Sequence, residues 1–182
     1  MFSNYKILKR KTGKDDYNRN DFLQAILNEY QEQDTSEELR TQILANLVNF
    51  SYDPINYERL RELNIISLFV DCIDTDENLN GIKVHMGISG ICNLTACPVN
   101  QSIVMNDDRA VSLIIRCLSS DKKETIMAAM TTLYQLISKQ SKGRLLTIEV
   151  KNILKTYANS ENTDVRLKNL SLALIEAHGI TF

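Results

Sequence analysis

Short polar stretches of the chain alternate with segments in which apolar residues recur every three or four positions. Leu39, Ile43 and Leu47 show this spacing, which is the period of an amphipathic helix. Thr35-Ser36-Glu37-Glu38 precedes them and has the form of a capping box, so we expect Thr35 to cap this helix. The pattern predicts long helices near 36–51, 80–95, 122–138 and 163–178. It predicts shorter helices near 21–33, 65–74, 110–118 and 149–158, with connector helices near 55–63, 99–105 and 142–147.

The predicted helices belong to a repeating unit. Residues 47–56 match residues 91–100 in their order of apolar, asparagine, hydroxyl and proline positions, at a shift of 44, and residues 66–73 match 111–118 at a shift of 45. Weaker copies continue the series, and a period of about 42 residues is typical of helical armadillo or HEAT units. Such units bury their apolar faces by stacking. The sequence therefore predicts an all-α, right-handed armadillo-like helical solenoid of about four repeats over residues 21–182.

Residues 1–20 differ from the rest of the chain, because they lack an apolar period and are strongly basic. Six Lys or Arg residues stand against two Asp there, a net charge of +4, which leaves −6 on the remainder of a chain whose total is −2. We expect a disordered N-terminal arm. Lys9-Arg10-Lys11 also suits a nuclear localisation signal, and the arm also suits a nucleic-acid contact. The acidic body is a poor surface for phosphate.

The residues that usually carry chemistry are not arranged for it in this sequence. The four cysteines form no Cys-x-x-Cys pair, and His85 and His178 lie outside any ligand spacing, so we expect no metal site. Cys72 and Cys117 occupy equivalent positions of the repeat and are predicted to be buried. We also expect no cofactor, no small-molecule substrate and no enzymatic activity. The short apolar runs exclude a transmembrane helix.

The end of the long helices carries a family resemblance. The segment Leu47-Val48-Asn49-Phe50-Ser51 and its copy Ile91-Cys92-Asn93-Leu94-Thr95 resemble the armadillo repeat. The likeness covers about residues 22–178 and is strongest over 42–61. Armadillo repeats usually place glycine between their first and second helices, where this chain has Asn64 and, one repeat later, residues 107–109. We expect Asn64 to adopt a left-handed conformation and the second corner to be longer or rebuilt.

More narrowly, residues 42–61 resemble a small armadillo scaffold of the minor (U12-type) spliceosome. This resemblance implies a nuclear, non-enzymatic protein that acts in pre-mRNA splicing. The partner that it implies is an RNA-recognition-motif protein, RNA-binding motif protein 48, through which the scaffold reaches RNA. Two alternatives remain open from the residues themselves: a generic armadillo adaptor unrelated to splicing, and a helical solenoid that binds RNA directly.

The resemblance also implies a binding groove. In armadillo repeats the long helices line the concave face, where an asparagine amide can bind both the N–H and the C=O of an extended peptide. The predicted protein-binding residues are Asn46, Asn49, Tyr52, Tyr57, Asn93, Gln135 and Glu176. The asparagines could instead form helix caps or bonds within the chain, and the two tyrosines could instead close the junction between the first two units.

Overall fold

The structure, a computed structural model, describes residues 19–76, 78–161 and 163–181. These residues form eleven α-helices and two short 3-10 helices, with no strand among them. The long helices are α2 (Glu37–Ser51), α5 (Ile82–Leu94), α8 (Lys123–Leu136) and α11 (Val165–Ala177). The shorter helices are α1 (Arg19–Gln31), α4 (Ile65–Ile73), α7 (Asp108–Arg116) and α10 (Ile148–Asn159). The connectors are α3 (Tyr57–Glu62), α6 (Pro98–Met105) and α9 (Lys142–Leu145), and the 3-10 segments are Pro54–Asn56 and Cys117–Ser119.

The helices stack in chain order, as the repeat predicts. Each long helix packs beside the next one, α2 on α5, α5 on α8 and α8 on α11, while α4 packs on α5 and α10 on α11. This all-helical stack confirms the predicted fold class. All the predicted helices are present, with ends within about three residues of the predicted ones. No helix among the described residues is long and apolar enough to cross a membrane.

Helix α1 is described from Arg19 to Gln31, which agrees with the helix predicted near 21–33 to within about two residues. Arg19 is held there by the ring of Phe50 on α2, with its guanidinium carbon 5.3 Å from the ring centroid. The remainder of the predicted arm, residues 1–18, lies outside the described residues.

Local signals set the helix ends, with one correction. Pro54 and Pro98 are the first residues of their helices, as a residue with a fixed φ and no N–H favours. We expected Thr35 to cap α2, but Ser36 does so, its Oγ accepting from the backbone N–H of Leu39 at 3.2 Å. The Thr35 hydroxyl instead donates to the carbonyl of Glu29 at 2.6 Å, near the end of α1. The Thr35 hydroxyl, which we expected to cap the start of α2, therefore bonds to the last turn of α1.

The two corners without glycine are built differently. Asn64 has φ 53° and ψ 34°, the left-handed conformation predicted for it, which asparagine adopts at modest cost. At the second corner Asp107 has an extended backbone, and its carboxylate caps α7 by accepting from the N–H of Ala110 at 3.0 Å. Arg109 lies within α7 and does not turn the chain. The second corner is therefore rebuilt around an aspartate cap.

The core lies between the long and the shorter helices. Leu47 and Leu133 are fully buried, and Cys72 and Cys117 are buried as predicted. Gly90 on α5 faces Phe69 on α4, and a Cβ added at Gly90 would lie 2.2 Å from a ring carbon of Phe69. The absence of a side chain at this position is therefore what lets α5 approach α4.

Candidate protein-binding face

The four long helices expose one matching row of positions each, at spacings of four, three and four residues. Residues at these spacings share one face of a helix, and none of the sixteen is buried. We call this surface the inner face. It consists of Glu38, Gln42, Ala45 and Asn49 on α2; Ile82, Met86, Ser89 and Asn93 on α5; Glu124, Ala128, Thr131 and Gln135 on α8; and Val165, Asn169, Leu172 and Glu176 on α11.

The inner face is acidic. Its only charged residues are Glu38, Glu124 and Glu176, and none of its sixteen positions is Lys or Arg. Small or half-buried side chains occupy its middle, at Ala45 and Ser89 for example. A surface of this charge does not neutralise phosphates, which is what RNA or DNA binding needs.

Asn93, which we predicted as a protein-binding residue, is hydrogen-bonded within the protein. Its Nδ2 donates to the carbonyl of Val48 at 3.1 Å and to the hydroxyl of Ser51 at 3.2 Å. The last carbonyls of a helix have no partner in the helix itself, so Asn93 stabilises the end of α2 and ties the second unit to the first. The Nδ2 group of Asn93 therefore follows the alternative stated above, in which the asparagines form bonds within the chain.

Gln135 makes the equivalent link one unit later. Its Oε1 accepts a hydrogen bond from the hydroxyl of Thr95, and Thr95 corresponds to Ser51 in the repeat. Glu176 would next meet position 137, which is an isoleucine and offers no hydroxyl. Glu176 is exposed. Of the four equivalent predicted residues, Asn93 and Gln135 therefore bond within the protein, whereas Asn49 and Glu176 are exposed.

The side-chain amides of the first unit differ from those of the next two units. Asn49 is exposed and Asn46 half-buried, and neither side chain is hydrogen-bonded to another described residue. Tyr52 is 59% exposed. Tyr57 is only 8% exposed, and its hydroxyl donates to the carbonyl of Asn93 at 3.0 Å. This corrects the expectation that Tyr57 offers its ring to a partner, because the ring closes the junction between the first two units.

Comparison with known proteins identifies the family. No protein-family model matches the chain. Armadillo repeat-containing protein 7 of Mus musculus is 39% identical to it over 157 residues, which are 85% of this chain and 76% of the mouse protein. The chain belongs to the armadillo repeat-containing protein 7 family.

Two solved structures of designed armadillo repeat proteins share the fold. The chain matches YIII(Dq)4CqI with a TM-score of 0.70 and 16% identity, over 86% of this chain and 64% of the designed one. It matches YIII(Dq.V1)4CPAF, solved in complex with the peptide (KR)4, with a TM-score of 0.69 and 16% identity, over 87% and 69% of the two chains. At this identity the likeness concerns the armadillo fold alone.

We did not predict the structural role of a second pair of repeated asparagines in this armadillo chain. Asn56 and Asn100 are buried, and each donates from Nδ2 to the carbonyl six residues earlier, at 2.7 Å to Phe50 and 2.8 Å to Leu94. Both follow a proline by two residues, so the repeated Pro-x-Asn carried the signal. These asparagines close the long helices, whereas we considered only the asparagines within the helices.

The starts of the long armadillo helices are also tied together. Lys83 lies 2.7 Å from a carboxylate oxygen of Glu37. Lys123 lies 3.3 Å from the carboxylate of Asp164, which also accepts from the backbone and the guanidinium of Arg166. The hydrogen bonds from Arg166, with a smaller contribution from Lys123, hold the pKa of the Asp164 carboxyl below its usual range. Asp164 therefore fixes the start of α11 against the start of α8.

The cysteine environments suit packing and do not favour thiol chemistry. Burial raises the pKa of the Cys117 thiol to about 12, and burial also raises the pKa of Cys72 and of Cys92. A thiol with a raised pKa is a weak nucleophile and a weak metal ligand at neutral pH. Cys72 and Cys117 act as small core residues, and Cys92 is half-buried.

Proposed function

We propose that the protein is a non-enzymatic nuclear scaffold of the minor spliceosome. In this role it binds an RNA-recognition-motif protein, RNA-binding motif protein 48, through its inner face and reaches RNA through that partner. Membership of the armadillo repeat-containing protein 7 family supports the scaffold role, and Lys9-Arg10-Lys11 supports nuclear import.

The charge of the inner face is the observation that favours a protein partner over RNA. Three glutamates and no Lys or Arg occupy its sixteen positions, so an RNA backbone there would meet like charge. The basic residues that could meet phosphate lie elsewhere, most densely in residues 1–20. A protein segment, by contrast, can use the exposed amides of the inner face through its own backbone N–H and C=O groups.

The partner is tested by mixing the purified full-length chain with purified RNA-binding motif protein 48 and measuring complex formation by size-exclusion chromatography with light scattering. We expect a stable complex that survives 0.3 M salt. Separation of the two proteins at micromolar concentrations would contradict the proposed partner and leave the generic adaptor as the better description.

Direct RNA binding is tested by titrating the isolated chain with single-stranded RNA at several salt concentrations. We expect weak binding, since the body of the chain is acidic. Tight binding that falls steeply with salt would instead indicate several phosphate contacts, and would favour the alternative of a direct RNA-binding solenoid.

A further inference from the structure

The shorter helices of the first three units share one apolar pattern. Five apolar residues recur there at identical spacing, so they occupy equivalent positions whose burial can be compared. They are Phe22, Leu23, Ile26, Leu27 and Tyr30 in α1; Ile65, Ile66, Phe69, Val70 and Ile73 in α4; and Ala110, Val111, Ile114, Ile115 and Leu118 in α7 and the 3-10 turn after it.

The first unit covers these equivalent positions less completely than the next two units do. Phe22 is 39% exposed, whereas its equivalents Ile65 and Ala110 are fully buried. Ile26 is half-buried, whereas its equivalents in α4 and α7 are fully buried. The start of α1 therefore presents core positions that lack the cover found in the later units.

The end of the long helix α2 shows the same difference. Phe50 is half-buried, whereas its equivalents Leu94 and Leu136 are buried. The ring centroids of Phe50 and Phe22 lie 5.8 Å apart, so the incompletely covered positions adjoin. We call Phe22, Ile26 and Phe50 the first-unit patch.

Arg19 adds a second observation at the first-unit patch. Its guanidinium carbon lies 5.3 Å from the centroid of the Phe50 ring. Its Nη1 is buried, yet it has no hydrogen-bond partner among the described residues. Because buried donors are nearly always paired, the patch calls for a hydrogen-bond acceptor as well as for apolar cover.

In the later units the connector helices lie directly before the shorter helices and cover them. Helix α3 packs on α4, and α6 packs on both α7 and α8. Each connector segment buries one apolar anchor, which stands five or six residues before the first buried residue of the next shorter helix. The anchors are Leu60, Val104 and Leu145, all fully buried. No connector precedes α1 among the described residues.

The sequence just before α1 contains a residue that suits this anchor position. Tyr17 stands five residues before Phe22, as Leu60 stands five residues before Ile65. Tyr17 is also the only apolar residue between positions 9 and 18. Because so few residues separate Tyr17 from α1, bringing it onto the patch closes only a short loop and costs little entropy.

We propose that residues 11–18 dock on the first-unit patch as the connector of the first unit, with Tyr17 as the anchor. The ring of Tyr17 packs against Phe22 and Phe50, and a backbone carbonyl of the segment accepts a hydrogen bond from Nη1 of Arg19. The docking limits the arm expected from composition to about residues 1–10. It does not depend on the partner proposed above, because the occupant belongs to the same chain.

The docking also places the basic triplet Lys9-Arg10-Lys11. Lys11 stands six residues before Tyr17, as Pro54 and Pro98 stand six residues before the anchors of the second and third units. Both prolines are exposed. We therefore expect the triplet to stay exposed at the start of the docked segment, where it remains available as a nuclear localisation signal.

Thermal unfolding of the full-length chain tests the anchor. Tyr17→Ser should lower the melting temperature by at least about 4 °C, the shift expected in a domain of this size when one buried ring is lost. Tyr5→Ser is the matched control, since it removes the same side chain outside residues 11–18, and should shift the melting temperature by less than about 1 °C. Tyr17→Leu should restore most of the loss, because Leu60 and Leu145 serve as anchors. Equal shifts for Tyr17→Ser and Tyr5→Ser would overturn the proposal.

A double-variant comparison tests where Tyr17 packs. If Tyr17 contacts Phe22, the melting-temperature loss of Tyr17→Ser combined with Phe22→Ser should be smaller than the sum of the single losses by at least about 2 °C. Tyr17→Ser combined with Leu172→Ser, an exposed position of the fourth unit, should give the sum of its single losses. Additive losses for the Tyr17 and Phe22 pair would overturn the proposed contact.

A concentration series distinguishes the chain's own segment from a second copy as the occupant. With an occupant from the same chain, the melting temperature should be independent of protein concentration, and light scattering should show a monomer. A melting temperature that rises with concentration, together with a dimer, would show that a second copy covers the patch and would overturn the proposal. Since none of these assays uses RNA-binding motif protein 48, the docking can fail while that partner still binds, and the reverse also holds.

Discussion

The side-chain amide of Asn93 donates to the hydroxyl of Ser51, 42 residues earlier, at 3.2 Å. One unit later the hydroxyl of Thr95, which corresponds to Ser51, bonds to Gln135. The same two positions of the repeat therefore join the first unit to the second and the second to the third, although the donor and the acceptor exchange roles. Two of the predicted binding residues, Asn93 and Gln135, therefore hold neighbouring units together.

Asn93 and Asn49 occupy equivalent positions, but only Asn93 bonds to the preceding unit, so replacing them should affect stability unequally. Asn93→Ala removes two hydrogen bonds and leaves the carbonyl of Val48 with fewer donors, so we expect a loss of roughly 1–2 kcal/mol in the free energy of unfolding. Asn49→Ala alters an exposed position and should change that free energy by less than about 0.5 kcal/mol. Urea denaturation followed by circular dichroism measures both. Equal effects would mean that the Asn93 bonds do not contribute to stability.

The close approach of α5 to α4 predicts that Gly90 cannot be enlarged. Gly90→Ala places a methyl group 2.2 Å from the ring of Phe69. We expect a loss of about 1–3 kcal/mol from overpacking, despite the better helix propensity of alanine. Gly143→Ala is the matched control, because a Cβ there meets nothing within 4 Å. Thermal unfolding of both variants gives the comparison, and a Gly90→Ala protein as stable as the control would contradict the packing described.

The Asp164 cluster predicts a specific response to acid. Because the folded state holds the pKa of Asp164 below its usual range, its contribution to stability is fully present above the unfolded pKa of about 3.9 and is lost as the pH falls below that value. Asp164→Asn should therefore be less stable than wild type at pH 7, with the gap closing toward pH 2. Denaturation midpoints measured across this range test the effect. Asp34→Asn, which changes an exposed loop residue, is the control and should show no such closing gap.

The fold could be predicted from the sequence because its signals are local or periodic. Apolar spacing placed the helices, Pro54 and Pro98 marked two helix starts, and the repeat supplied the stacking order. The left-handed conformation of Asn64 was predictable because Asn64 stands where armadillo repeats usually have a glycine. Leu79 was not predictable, since it takes φ 59° while buried. Its carbonyl accepts from the hydroxyl of Ser120 at 2.8 Å, a contact from the following unit.

The candidate site was less predictable because hydrogen-bond partners depend on what a neighbouring unit brings within reach. Asn49 and Asn93 occupy the same position of the repeat, yet only Asn93 has a preceding described unit that presents Ser51 to it. Tyr57 reads as an amphipathic surface residue in the sequence, but its hydroxyl reaches a carbonyl of α5 and its ring is buried. A pattern of residue types does not distinguish these outcomes.

The most direct test of the inner face as the partner-binding surface is the affinity for RNA-binding motif protein 48 of two charge-reversed full-length variants. One carries Glu38→Lys, Glu124→Lys and Glu176→Lys on the inner face. The other carries the same change in charge at exposed glutamates outside the inner face, with Glu58→Lys, Glu149→Lys and Glu161→Lys. Isothermal titration calorimetry compares both with wild type at one salt concentration.

The proposal predicts at least about tenfold weaker partner binding for the inner-face variant and less than about twofold for the outer variant, since reversed charges at an interface oppose association. Both variants should retain the helical circular dichroism of the wild type. An inner-face variant that binds the partner as tightly as the outer variant would contradict the proposal and place the partner on another surface.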